Sequence, residues 1–160
     1  MTQTAAFLAH ELEQTVSGPV WHGSALGELL ADVTAAEARA RPIADAHSIA
    51  ELVAHLTAWT EICARRLAGD TSEATSAEDW PIADASNDER WREMVRTLGA
   101  RYERIAQATQ VLTDRTLAAT LPARTHTTAE MLNGLVAHGA YHGGQIALLK
   151  KTLRGALRFP

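Results

Sequence analysis

Residues 127–149, TTAEMLNGLVAHGAYHGGQIALL, return apolar side chains to one face at three- and four-residue steps through Met131, Leu135, Ile146 and Leu149. That period predicts a helix. Thr127-Thr128-Ala129-Glu130 marks its start, and it is expected to reach about Leu153, just before Gly155. The middle of the apolar stripe is not apolar, because His138, His142 and Gln145 occupy it. Positions 138, 142 and 145 span roughly 60° of arc at about 100° per residue, so the three side chains share one face. Imidazoles in a core are costly unless each ring nitrogen finds a partner, and two histidines four residues apart on a helix are placed so that both rings can reach a single ion.

Working toward the N-terminus, Asp88 to about Gln110 gives a second long helix. Its inward face is Trp91, Met94, Val95, Leu98, Tyr102, Ile105 and Ala106. A third begins near Ser48, which forms a capping box with Glu51, and reaches about Ala68 before Gly69-Asp70. Its buried side is Leu52, Leu56, Trp59, Ile62 and Cys63, and His55 falls within the same arc. A first helix is expected from about Thr4 to Ser17, ended by Gly18-Pro19, with short helices following near Ser24 to Val33 and after the Thr34/Glu37 capping box. The polar stretch from Thr71 to Asn87, with Pro81 in it, reads as a surface loop. It is long enough to be a crossover along the bundle or a lid over a site, with Trp80 as its anchor. A connector interrupted by Pro122 precedes the last helix.

Four long helices with small helical additions make an all-α four-helix bundle, and with no internal repeat residues 1–160 are expected to form one domain. Cys63 is the sole cysteine, so no intrachain disulfide is available and a reducing cytoplasm is expected. A net charge of −4 and the lack of a basic stripe argue against nucleic acid as a partner. No signal-peptide pattern opens the sequence, and no run has the length of a membrane span.

An antiparallel neighbour would bring His55 opposite His138 and His142, making three nitrogen ligands. Neutral imidazoles suit zinc, nickel, iron(II) or copper better than magnesium or calcium. Three protein ligands leave a position for water or substrate, as catalytic metal sites do. Spacing does not settle this alone, since seven histidines placed at random give roughly 0.3 pairs four apart. The inward placement of all three carries the reading. Around them, Gln145 is a candidate to orient substrate or metal-bound water, balanced by the reading of a buried amide satisfied by a neighbouring helix. His22 could reach the pocket from the loop after the first helix, although surface or packing accounts for it more simply. Trp59 is a candidate pocket wall or plain core. Glu51 is explained by its cap, and Cys63 reads as an inert buried thiol. No glycine-flanked serine elbow is present, which disfavours a serine hydrolase.

Residues 47–59, HSIAELVAHLTAW, and 138–146, HGAYHGGQI, resemble the two signature segments of the DinB-like superfamily, which includes the YfiT-like metal-dependent hydrolases. Trp21-His22-Gly23 and Arg66-Leu67-Ala68-Gly69 are similar to the same family, so the resemblance covers most of the chain. It implies an up-down-down-up bundle, often dimeric, with His55, His138 and His142 in the metal-ligand positions. It also implies an activity, since characterised relatives include zinc-dependent transferases of low-molecular-weight thiols such as bacillithiol or mycothiol, and a thiol-dependent maleylpyruvate isomerase. The family name reflects damage-inducible expression and not DNA binding. The expectation is therefore a thiol S-transferase acting on a small-molecule substrate. A metal-dependent hydrolase that activates water and a non-catalytic, stress-related binding or dimerisation module are the alternatives. The same three ligands serve either enzyme.

Overall fold

The computed structural model describes residues 2–155 and shows eight helices with no strand among them. The single-domain reading of 1–160 extends beyond these at both ends, and residues 1 and 156–160 lie outside the described residues. The long helices are α1 (Gln3–Ser17), α4 (Ile49–Leu67), α6 (Asp88–Gln110) and α8 (Thr128–Leu153). Short helices α2 (Leu26–Leu30), α3 (Ala35–Arg39), α5 (Ser76–Asp79) and α7 (Asp114–Ala118) lie in the connections. No helix among the described residues is long and apolar enough to cross a membrane.

Local chemistry sets the helix ends. Thr34, Ser48, Thr75 and Thr127 each accept a hydrogen bond from the backbone three residues on, while Glu37, Glu51, Glu78 and Glu130 reach back to the cap. Each such cap contributes about 1 kcal/mol. Two of the four initiate short helices that periodicity does not reveal, and α2 is shorter than its apolar residues suggest, starting only after Ala25. The segment 71–87 is therefore not a bare loop, since α5 forms inside it.

The helix directions follow from the contacts. Ala54 of α4 borders a cavity with Glu93 and Met94 of α6, and farther along both helices Glu61 of α4 pairs with Arg101 and Arg104 of α6. These two helices are parallel. Glu130 and Met131, near the start of α8, border one cavity with Cys63 and Arg66 of α4, while Leu148 and Leu149 border another with Leu52. α8 therefore runs antiparallel to α4. α1 packs on α6 and α8, its C-terminal Val16 lying beside Gly99 and Thr15 beside Gly139, and it also meets α7. The order is up-down-down-up, with α1 and α4 on opposite sides of the bundle. Parallel α4 and α6 require the chain to return the full length of the bundle between them, so residues 68–87 are a crossover.

Leu12, Leu56, Leu98, Tyr102, Ile105, Leu132 and Ile146 fill the centre and are essentially inaccessible. Tyr102 reaches from α6 across to α8, where its hydroxyl donates to the Leu135 carbonyl at 3.4 Å. Residues 18–48 close one end of the bundle. Trp91 Nε1 donates to the Val33 carbonyl, and Arg154 pairs with Asp32 and Glu37, tying the end of α8 to that cap.

Candidate metal centre

The antiparallel packing of α4 on α8 brings His55 against His138 and His142, with one ligating atom from each within 4.8 Å of the others. His138 Nε2 is 3.0 Å from His55 Nε2 and 2.9 Å from His142 Nε2. His55 and His142 are buried, at 5 % and 6 % exposure, and His138 is half-buried.

The opposite ring nitrogens fix the tautomers. His55 Nδ1 donates to the backbone carbonyl of Asp79 at 2.6 Å, and His142 Nδ1 donates to Gln145 Oε1, also at 2.6 Å. With a proton on each Nδ1, the neutral rings present lone pairs at Nε2. Both lone pairs then face His138 Nε2, which carries at most one proton and can satisfy only one of them. A cation at the meeting point satisfies all three at once, so the donor set fits a divalent transition metal.

Electrostatics agree with this arrangement. Burial lowers the pKa of His138 to about 4, helped by the neighbouring His142 and His55 and opposed by Asp79. Burial also lowers that of His142, against the Gln145 hydrogen bond that raises it. Neutral rings are the ligating form.

A pH dependence follows for the metal-free chain. Between about pH 6.5, the unfolded value, and the folded value near 4, the unfolded state binds more protons. Histidine-dependent stability is therefore complete above pH 6.5 and is lost as pH falls toward 4. Carboxylates with lowered pKa, such as Glu37 held by Arg154, act below about pH 5 because their folded values lie under the unfolded one. Thermal melts of metal-free protein between pH 7 and 5 should lose on the order of 1 kcal/mol, and His138→Gln should flatten that slope. An unchanged slope in the variant would assign the effect elsewhere.

The crossover supplies what side-chain patterning misses. Asp79, at the end of α5, gives His55 its carbonyl, and its Oδ1 accepts from Trp59 Nε1 at 2.6 Å. Trp80 stacks between two imidazoles, 4.0 Å from the His55 ring and 3.6 Å from that of His47. The Thr75-Ser76-Ala77-Glu78 capping box was the available signal for this turn. Glu51, by contrast, is spent on Ser48 and Arg41.

Gln145 orients His142. Trp59 is half-buried and borders a cavity of about 340 Å³ together with His138, Cys63, Arg66, Met131 and Leu135. Cys63 is buried there, and desolvation pushes its thiol up to about 11, so it is neutral at pH 7. His22 is not brought to the three histidines. It is exposed and borders a different cavity with Thr15, Leu26 and Gly139.

Fold and site together define a four-helix bundle with a three-histidine group shared between two antiparallel helices. A family model described as the DinB superfamily matches residues 20–146, a span that includes all three histidines, and the chain belongs to that superfamily. Searches of curated proteins and of solved structures gave no match.

Proposed function

We propose that this protein is a metal-dependent enzyme that transfers a low-molecular-weight thiol to an electrophile, with His55, His138 and His142 holding zinc, nickel or iron(II). The observation that carries the reading is the convergence of three Nε2 atoms, two with their protons fixed on the far nitrogen, beside a mainly apolar cavity. The metal would act as a Lewis acid that lowers the pKa of a thiol and favours the thiolate.

The residues of this chain then have separate tasks. Asp79 and Gln145 hold two imidazoles in register, and Trp80 covers His55 from the crossover side. Trp59, Met131 and Leu135 exclude water from one wall and suit an apolar electrophile. Transfer is favoured over hydrolysis because a free thiol, with a pKa of about 8.5, already ionises far more readily than water at about 15.7, so the same Lewis acid brings it more fully to the anion at neutral pH. Asp79 Oδ1 is bonded to Trp59 Nε1 and lies 3.3 Å from His55 Nδ1, on the side of that ring away from Nε2.

The test is to load the protein with each metal and follow loss of a low-molecular-weight thiol in the presence of a fluorogenic bimane electrophile. Turnover that requires both metal and thiol and disappears in His142→Ala is expected. Metal-dependent hydrolysis of esters or amides without thiol consumption would replace this reading with a hydrolase.

A further inference from the structure

Arg66 is a buried charge that the metal site does not use. Its side chain is 9 % exposed, and among the described residues it makes no hydrogen bond and no ion pair, with Nε enclosed and unpartnered. Neighbouring arginines are paired. Arg65 meets Glu78 and Asp70, and Arg101 and Arg104 meet Glu61. Arginine stays protonated in proteins, so the cost of holding Arg66 in a mostly apolar cavity is not relieved by losing its charge.

Its position relates it to the histidines. His55, Trp59, Cys63 and Arg66 follow one another at helical spacing along one face of α4. Helical side chains lean toward the N-terminus, which carries the guanidinium back over Trp59. The guanidinium carbon is 5.5 Å from the Trp59 ring centre, and the Trp59 and His138 ring centres are 6.0 Å apart. One indole thus lies between the free charge and a member of the three-histidine group. The other charged group bordering this cavity, Glu130, is turned to its own helix start, where its carboxylate accepts from the Thr127 amide at 2.6 Å and the Thr127 hydroxyl at 2.8 Å.

We infer that Arg66 is the anion-binding residue of the substrate cavity and selects substrates bearing a carboxylate on an apolar body, with their reacting group at the three histidines. This assignment deepens the transferase reading and rests on it for the placement of the reacting group. A carboxylate matches the forked guanidinium geometry with two parallel hydrogen bonds. One unpaired cation in an apolar pocket also balances one negative charge, which suits a carboxylate better than a phosphate dianion. The carboxylate could belong to the thiol or to the electrophile.

Metal-loaded full-length protein should be titrated by calorimetry with two matched pairs. 3-Phenylpropanoate and 3-phenylpropanamide represent the electrophile side, and 3-mercaptopropanoate and 3-mercaptopropanamide the thiol side. In at least one pair the acid is expected to bind roughly tenfold or more tightly than the amide. The pair that shows the preference identifies which substrate carries the carboxylate. Arg66→Met should bring the ratio to about one without lowering the melting temperature, since an unpaired buried charge is removed, and Arg66→Lys should restore part of the preference. A residue with a purely structural role would instead lose stability on substitution and leave the ratio unchanged. No acid preference in either pair of the parent protein overturns the proposal, and that comparison needs no variant to fold. So does a preference that survives Arg66→Met. Metal content measured on the same samples separates the two readings, because an Arg66-dependent preference in protein that takes up no metal would retain the anion site and defeat the metal centre.

Discussion

His138→Ala is expected to weaken binding of a divalent transition metal by about 100-fold or more, since it leaves two of three protein ligands. His138 is the residue to change because its Nε2 contacts both of the others, at 3.0 and 2.9 Å, so its loss opens the centre of the group. The metal-free chain should tolerate the change, because burial of His138 already disfavours the protonated ring and, among the described residues, its imidazole bonds only to His55 and His142. The effect therefore appears as a difference between loaded and unloaded protein. At free metal 100 times the dissociation constant, binding adds about 2.7 kcal/mol to the stability of the parent chain. For a chain of this size that raises the melting temperature by roughly 5–10 °C. His138→Ala should show almost none of this shift at the same metal concentration, with a metal-free melting temperature close to that of the parent. An undiminished shift, or undiminished stoichiometric uptake measured by plasma mass spectrometry, would remove His138 from the ligand set.

The three histidines were readable because a helical stripe makes an inward imidazole conspicuous. Leu52 and Leu56 bracket His55, Leu135 and Ile146 bracket the other two, and the capping boxes at Ser48 and Thr127 set the phase of both helices. The partners of those rings were readable only where they were side chains on the same helix. Gln145 is three residues from His142 and was visible; Asp79 is 24 residues from His55 and contributes a backbone carbonyl, which no pattern of residue types encodes. The crossover was legible as a long polar connection, but not as a structured one, since a single turn carries too few residues to show a period. Nothing in the sequence around Arg66 marks it as unpaired, since Arg65 beside it is the same residue type and is paired. Its lack of a partner is a fact about every neighbouring helix, and no local stretch contains it.

Gly139→Ala is expected to destabilise the protein by about 1–2 kcal/mol, although alanine is ordinarily the better helix former by about 1 kcal/mol. A Cβ at this position would lie 2.4 Å from Thr15 Cγ2 and 2.9 Å from the Tyr102 hydroxyl. Neither neighbour yields easily. Thr15 is β-branched and its hydroxyl is bonded to the Glu11 carbonyl at 2.8 Å, while Tyr102 is fully enclosed in the core. Relief must come from α8 moving away from α1, and the residue beside Gly139 is His138. Gly144→Ala on the same helix is the control, because a Cβ there meets nothing within 4 Å and should raise stability by up to about 1 kcal/mol. Chemical denaturation of the two variants should therefore move in opposite directions, and metal affinity should fall in Gly139→Ala alone. If both variants gain stability, α1 and α8 are not in the close approach described. If Gly139→Ala loses stability but keeps its metal affinity, the position of His138 is set by the contacts of α8 with α4, independently of α1.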